Sequence, residues 1–218
     1  MIANKIQYSR EQSQLIDEYL SLDGFNHKFW SDINIPEEYI ERIKTLKSEI
    51  KRHYKVAQHY TCVYCGNTNY INHGSSWHIE HIIPKETNEQ LMFESENLCL
   101  SCPECNQYKG KKRVLVEDLI YSNRAQDFII VHPHYDDYSE HILREGMIYM
   151  PKDGSDKGKT TIKICKLFRF ITLELDGEIR DVDFYDLIED TNINEENSDI
   201  EIEKISSSIA ERWNEINQ

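Results

Sequence analysis

Cys62-Val63-Tyr64-Cys65 and Cys102-Pro103-Glu104-Cys105 each place two cysteines three positions apart in this chain of 218 residues. Structural zinc is held tetrahedrally, often by four thiolates, and two such pairs supply the whole set. With every ligand position filled by protein, the metal would stabilise the fold and would not contact a substrate. The spacing therefore predicts one structural Zn²⁺ on Cys62, Cys65, Cys102 and Cys105.

A fifth cysteine leaves a second register open, because Cys99 and Cys102 are also three positions apart. We favour the register that ends at Cys105, since it places Asn106 directly after the last ligand. Cys99 lies between two leucines and is then expected to be a small buried apolar residue. Cysteines crowded into CxxC pairs favour metal binding over disulfides in a reducing compartment.

The residues beside the cysteine pairs have the chemistry that metal-dependent phosphodiester hydrolysis needs. His81 is a natural general base, because imidazole titrates near neutral pH. Glu80 and the amide oxygen of Asn106 are hard oxygen ligands that suit Mg²⁺ or Mn²⁺. Neighbouring residues of a regular strand point to opposite faces, so Glu80 and His81 can serve one site only where the strand ends or bulges.

A basic run follows the second cysteine pair, Lys109-Gly110-Lys111-Lys112-Arg113. Lys109 comes about one helical turn after Asn106. We expect Lys109 and Lys111 to contact substrate phosphate. The alternative for the run from Lys111 onwards is an ordinary solvated surface.

The net charge of −14 is concentrated in one segment, since residues 174–203 contain 13 acids and one base. Phosphate binding depends on the local field, so this global acidity does not exclude a nucleic-acid substrate. We expect the acidic segment to dock a protein partner or to screen the basic run. The alternative is a solvated acidic surface.

Apolar periodicity and turn residues divide the chain into three regions. Residues 1–58 have helical spacing, with a capping box at Ser9–Gln12 and a second helix starting at Pro36. Short elements follow, including a strand over residues 77–83 and a short helix from Pro103. Further strands are predicted at 128–131, 147–150 and 161–168, with a loop over 151–159, and helical spacing returns from Ile202 to Ile216.

No stretch of about 18 apolar residues exists, so no membrane span is predicted. The first residues also lack the apolar core of a signal peptide. We therefore expect a soluble cytoplasmic protein without a membrane partner.

The motifs Glu80-His81-Ile82-Ile83-Pro84, Asn97-Leu98 and Cys102-Pro103-Glu104-Cys105-Asn106-Gln107-Tyr108-Lys109-Gly110 resemble the HNH endonuclease family, also called the ββα-metal or His-Me finger family. The resemblance implies an α+β fold. A ββα-metal core with a four-cysteine zinc site would occupy residues 59–113, with a helical N-terminal extension at 1–58. A mixed α/β C-terminal region would follow at 114–218.

The same resemblance implies a metal-dependent endonuclease and assigns roles to its residues. His81 is the general base, and Glu80 and Asn106 hold the catalytic divalent metal. Asn97 holds the loop and orients the histidine. Many members have Asp-His where this chain has Glu80-His81. The change from aspartate to glutamate keeps the charge and lengthens the side chain by one carbon.

Three stretches, Ile79–Lys85, Phe93–Leu98 and Ser101–Asn106, are similar to the HNH subunits found beside an ATPase in Septu-type anti-phage systems and some retrons, the PtuB-like proteins. This implies an ABC-type, PtuA-like ATPase partner that controls the nuclease, and DNA, or in retron relatives RNA, as substrate. Two alternatives stay open, an autonomous restriction or homing endonuclease and a zinc-binding interaction module without turnover. The sequence has no evident recognition helix or broad basic surface, which disfavours the first, and an intact catalytic set disfavours the second.

Overall fold

The computed structural model describes residues 2–31, 35–71, 74–116 and 119–170. Up to Arg169 these residues belong to one compact unit. None of the helices in these ranges combines the length and the apolar composition that crossing a membrane requires. The acidic segment 174–203 and the helical pattern from Ile202 to Ile216 lie outside the described residues, so the expectations about them stay predictions.

The N-terminal region contains the two predicted helices, α1 at Arg10–Leu20 and α2 at Glu37–Ala57. The predicted capping box is confirmed, because the Gln12 backbone N–H donates to Ser9 Oγ and the Ser9 N–H donates to Gln12 Oε1. Pro36 precedes α2, where its missing N–H costs no hydrogen bond. A side-chain cap therefore begins α1, whereas α2 begins after a proline without a side-chain capping hydrogen bond.

Helix α2 packs along its length against the rest of the compact unit. Its buried stripe has helical spacing and consists of Ile43, Leu46, Ile50 and Tyr54. Just past its end, the Gln58 side chain exchanges hydrogen bonds of 2.7 and 2.9 Å with the backbone of Leu100. The helical extension is thus anchored directly to the strand that carries Leu100.

The central motif is a ββα unit. Strand β1, His78–His81, pairs antiparallel with β2, Leu98–Ser101, and helix α3 spans Pro103–Lys109. Proline in the first turn and Cys102 as the cap begin α3 where the sequence predicts it. The predicted strand over 77–83 is shorter than expected and ends at His81. This order and pairing confirm the expected ββα core of an α+β fold.

Among the described residues that follow the core, up to 170, helix and strand are mixed, as expected. This region contains a short helix, a hairpin and a longer helix: α4 at Tyr138–His141, β3 at Ile142–Glu145, β4 at Ile148–Pro151 and α5 at Asp156–Ile164. Strand β4 confirms the strand predicted at 147–150. Residues 128–131 are largely buried, but a single bridge between Phe128 and Leu115 replaces the predicted strand.

The strand predicted at 161–168 is wrong, because α5 occupies its first half, a turn follows, and α5 also takes part of the loop predicted at 151–159. Ser155 caps this helix by accepting from the Gly158 N–H at 3.0 Å. A Cβ at position 158 would collide with the His141 carbonyl oxygen, so only glycine permits the contact. The apolar alternation fits a strand as well, and packing against β4 selects the helix.

The C-terminal region supports the first cysteine pair. The Tyr138 hydroxyl donates to the Tyr64 carbonyl at 3.0 Å, and the Tyr149 hydroxyl donates to the Cys65 carbonyl at 2.6 Å. These hydrogen bonds satisfy backbone oxygens of the cysteine turn that the turn itself leaves unpaired. Residues beyond 113 therefore help to shape the metal-binding turn.

Candidate metal and catalytic site

The four predicted zinc ligands come together. The sulfur atoms of Cys62, Cys65, Cys102 and Cys105 all lie within 4.8 Å of one another. A tetrahedral zinc with Zn–S bonds of about 2.3 Å needs sulfurs about 3.8 Å apart, so the cluster fits this ion. Cys99 is fully buried on β2 opposite Glu80 and is not part of the cluster.

Donors surround the sulfur atoms of the cluster. The Cys102 N–H donates to Cys62 Sγ at 3.3 Å, and the Cys105 N–H donates to Cys102 Sγ at 3.4 Å. The guanidinium of Arg169 donates to Cys105 Sγ at 3.2 Å. Four thiolates exceed the charge of one Zn²⁺, so these donors stabilise the excess negative charge. The pattern of cysteines alone did not indicate this role for Arg169, which lies 64 positions after Cys105.

Glu80 and Asn106 meet where β1 and α3 lie side by side. The Asn106 amide nitrogen donates to Glu80 Oε2 at 2.6 Å, and the Tyr64 hydroxyl donates to Glu80 Oε1 at 3.2 Å. Asn106 Oδ1 lies 3.3 Å from Nδ1 of His78. A 180° rotation of the Asn106 amide group exchanges its nitrogen and oxygen. The Asn106 amide oxygen would then lie beside the Glu80 carboxylate, and both could bind a metal ion. This donor set fits a hard divalent cation.

The position of Lys109 differs from the one expected for a residue that contacts substrate phosphate. Its side chain is fully buried, and its ammonium lies 2.5 Å from Glu80 Oε1 and donates to the His81 carbonyl at 2.8 Å. Burial raises the pKa of Glu80, and the charge of Lys109 opposes this rise. The helical spacing after Asn106 places Lys109 on the buried side of α3, beneath the Glu80 carboxylate. Its charge therefore forms an internal ion pair with Glu80.

His81 is the last residue of β1, and it lines the same cleft as Glu80. Its Nε2 lies 3.1 Å from the Met92 carbonyl oxygen, and the Trp30 ring packs edge-on against it with centroids 4.4 Å apart. A carbonyl only accepts hydrogen bonds, so Nε2 carries the proton and Nδ1 keeps the lone pair. Burial, followed by the charge of Lys85, lowers the pKa of His81 to about 3. The ring is therefore neutral near pH 7.

Asn97 joins the two ends of the loop between β1 and β2. Its Oδ1 accepts from the Ile83 N–H at 2.7 Å, while its Nδ2 donates to the carbonyls of Ile83 and Leu91 at 3.1 and 3.2 Å. Leu91 directly precedes Met92, whose carbonyl is the partner of His81. The buried amide thus lies between the strand end that carries His81 and the loop that orients its ring.

A cleft of about 770 Å³ contains the catalytic candidates Glu80, His81 and Asn106. Of the basic run, Lys111 lines this cleft. Lys112 instead donates to the Ile164 carbonyl at 3.1 Å, and Arg113 donates to the Leu115 carbonyl at 2.8 Å. The run is therefore divided between the cleft and internal contacts.

Other lysines that the sequence reasoning missed line the cleft, namely Lys44, Lys47, Lys51 and Lys85. The first three lie on α2 at positions i, i+3 and i+7, which places them on one helical face. That spacing is readable in the sequence. What the sequence does not reveal is that this face borders the candidate catalytic residues.

Residues 62–112 match the HNH endonuclease family. The Septu protein PtuB of Bacillus thuringiensis is 30% identical to this chain over 106 residues, which are 49% of this chain. The chain covers 36% of the length of that relative. No solved structure matches the chain significantly.

The family match coincides with the geometry of the site. It begins at Cys62, contains the whole ββα unit and ends just after Lys111. Within this segment the cysteine cluster, the Glu80–Asn106 pair and the histidine at the end of β1 occur in the order that the motifs predict. Residues 62–112 are therefore an HNH endonuclease domain.

Proposed function

We propose that this protein is a metal-dependent endonuclease that hydrolyses phosphodiester bonds of nucleic acid, with DNA favoured over RNA. The observation that carries the proposal is the arrangement of His81. Its Nε2 is engaged by the Met92 carbonyl, and its ring lines the cleft that also contains Glu80 and Asn106. A hydrolase that activates water needs a general base and a metal site. A neutral imidazole with a defined tautomer, next to a pair of oxygen ligands, can provide both.

In the proposed reaction, His81 Nδ1 accepts a proton from a water molecule. The oxygen of that water forms a bond to phosphorus, the bond from phosphorus to the leaving oxygen breaks, and the leaving oxygen keeps the electron pair and takes a proton from solvent. A substrate phosphate brings negative charge next to the ring and raises its pKa, because a nearby opposite charge favours the imidazolium. His81 thus becomes a stronger base when substrate occupies the cleft.

The remaining residues bind and orient. Glu80 and Asn106 would hold Mg²⁺ or Mn²⁺, which when bound supplies positive charge for the negative charge that develops at the scissile phosphate. Lys109 holds the Glu80 carboxylate from below, and Asn97 keeps the strand end and the loop together. The four cysteines would hold Zn²⁺ outside the reaction, because four protein ligands leave no open position.

The likeness to a Septu protein supports a role in anti-phage defence. We propose that the chain is the nuclease subunit of a cytoplasmic complex whose partner is an ABC-type, PtuA-like ATPase. In such a complex the ATPase would control access of nucleic acid to the cleft. The acidic segment 174–203 is our candidate for the surface that docks this partner.

Cleavage of labelled DNA and RNA by the purified, zinc-loaded chain tests the activity. Added Mg²⁺ or Mn²⁺ should support cleavage, and EDTA should stop it. His81→Ala should lower the rate by at least about 100-fold, the usual contribution of a general base, with zinc content and unfolding unchanged. Glu80→Gln and Asn106→Ala should raise the concentration of Mg²⁺ needed for half-maximal cleavage.

Full activity of His81→Ala would refute the assignment of the base. Absence of cleavage on both nucleic acids, alone and with the co-expressed ATPase, would refute the nuclease proposal and favour a zinc-binding interaction module. Copurification of the chain with the product of the neighbouring ATPase gene tests the partner. Unregulated cleavage without any bound ATPase would favour an autonomous enzyme.

A further inference from the structure

One wall of the catalytic cleft comes from outside the HNH domain. Helix α2 and the 3₁₀-helix His27–Ser31, which carries Trp30, line the cleft opposite residues of β1 and α3. Both elements precede residue 62, where the family match begins. The chain therefore adds a surface of its own to the catalytic cleft.

This wall carries cations in a regular array. Lys44, Lys47 and Lys51 each follow a buried residue of α2 by one position, so they lie along the border between the packed face and the cleft. Their spacing advances them along the helix by about 5 Å and then about 6 Å, at 1.5 Å per residue. The two outer lysines, Lys44 and Lys51, are therefore about 10 Å apart along the axis, a span that a nucleic-acid strand covers with phosphates that are not adjacent.

The acids that line the cleft do not cancel this charge, and the 3.2 Å ion pair between Lys44 and Glu41 is exposed on α2, so solvent weakens it. Of the two acids that line the cleft, Glu80 is ion-paired with Lys109, and Glu86 lies 3.3 Å from Lys85. Lys111 adds a further cation on the HNH side. Burial, and then the charge of Lys55, lowers the pKa of Lys51, so a neighbouring anion would stabilise its charged form.

Lys47 contacts the aromatic residue Trp30. Its ammonium donates to the Trp30 carbonyl at 2.6 Å and lies 4.8 Å from the centre of the Trp30 ring. The same ring packs edge-on against His81 and is only half-buried. An aromatic face held next to a basic groove is a surface on which a base can stack.

We propose that α2 is the substrate-binding wall of this nuclease, where Lys44 and Lys51 contact backbone phosphates of the strand that crosses the catalytic residues and Trp30 contacts a base or sugar. This inference rests on the proposed nuclease function and adds to it the surface that holds the substrate. Continuity with the catalytic residues favours nucleic acid over a protein partner, because the same cleft contains the lysines and His81.

The double variant Lys44→Gln/Lys51→Gln tests the inference in the full, zinc-loaded chain. Binding is measured by fluorescence anisotropy with labelled single-stranded and duplex oligonucleotides in the His81→Ala background, so that the probe is not cleaved. Each lost phosphate contact lowers affinity about eightfold for duplex and about fivefold for single strands at about 0.1 M salt. The double variant should therefore bind duplex about 60-fold more weakly, and the slope of log affinity against log salt should fall by about 1.8.

Arg42→Gln/Arg52→Gln is the matched control. Both arginines are exposed on α2, neither lines the catalytic cleft, and the pair removes the same charge from the same helix. This control should change affinity by less than about threefold, because screening weakens distant charges. Quenching of tryptophan fluorescence by unlabelled oligonucleotide should shrink in Trp30→Phe.

Equal binding by the lysine and arginine variants would overturn the inference, as would failure of the His81→Ala chain to bind either oligonucleotide at about 50 mM salt. These outcomes are distinct from failure of the nuclease proposal, which is the absence of cleavage by the wild-type chain. A lysine double variant that cleaves and binds like wild type would leave the nuclease proposal intact and remove the binding wall.

Discussion

Lys109→Met is the most informative single change in this protein, because it separates an internal role from a substrate-binding role. Methionine keeps most of the apolar length of the side chain but removes the charge. Glu80 would then keep the Tyr64 hydroxyl and the Asn106 amide as donors and lose its buried cation. A phosphate-binding lysine at the surface would leave stability almost unchanged on the same substitution.

The expected loss of stability follows from the burial of the carboxylate, which is 4% exposed. Without Lys109 the folded protein avoids an unpaired buried charge by binding a proton at Glu80, while the unfolded chain keeps that carboxyl ionised near pH 7. Protonating a carboxyl with an unfolded pKa of about 4.3 costs about 3.7 kcal/mol at pH 7 and about 1 kcal/mol at pH 5. Removing one partner of a buried ion pair costs about 3–5 kcal/mol, which agrees with the value at pH 7.

Urea unfolding of the zinc-loaded chain at several pH values measures this loss. Because loss of Lys109 raises the folded-state pKa of Glu80 further than in wild type, the stability of the variant relative to wild type should fall as pH rises from about 5 to about 7. The melting temperature at pH 7 should fall by about 10 °C. Glu80→Gln/Lys109→Met removes both charges and should regain most of the stability without a pH-dependent difference from wild type.

An unfolding free energy of Lys109→Met equal to that of wild type at pH 7 would refute the internal ion pair. If the same variant also bound nucleic acid about tenfold more weakly, Lys109 would be the phosphate ligand that the sequence predicts. A stability loss that does not depend on pH would indicate lost packing, since only a change in protonation produces the pH dependence.

Three further predictions concern the metal, the loop and acid stability. Cys99→Ala should retain about one zinc per chain and Cys105→Ala should lose it by metal analysis; the opposite pattern would overturn the register. Asn97→Ala should lower the free energy of unfolding by about 1–3 kcal/mol, because it leaves the buried N–H of Ile83 unpaired, and should slow cleavage with zinc retained. Burial lowers the pKa of His132 to about 2 and also lowers the pKa of His134, so in the folded protein each ring takes up its proton at a lower pH than in the unfolded chain. Stability in urea should therefore be full above pH 6.5 and fall by up to about 1.4 kcal/mol per ring for each pH unit below it, and His132→Gln should reduce that slope.

The elements best predicted from sequence are those set by local chemistry. The capping box at Ser9, the proline before α2 and the proline and cysteine that begin α3 act over three or four residues, and each begins a helix where expected. The end of β1 at His81 also agrees with the requirement that two neighbouring residues serve one cleft. The strand predicted at 161–168 fails because its apolar spacing fits two structures and distant packing chooses between them.

The sequence by itself supplies the residues of the proposed chemistry, namely the four thiols, the proposed general base His81 and the proposed oxygen ligands Glu80 and Asn106. Residue type and short spacing set which metals and reactions are available, so these features are readable without coordinates. The tertiary structure alone decides which lysines are buried in ion pairs and which line the cleft. Lys109, predicted at the substrate, is buried beneath Glu80, whereas Lys44 and Lys51, which both precede the HNH match that begins at residue 62, line its cleft. The physical reason is that the partner of a charge depends on which helix faces pack together, and that is set by contacts between residues far apart in the chain.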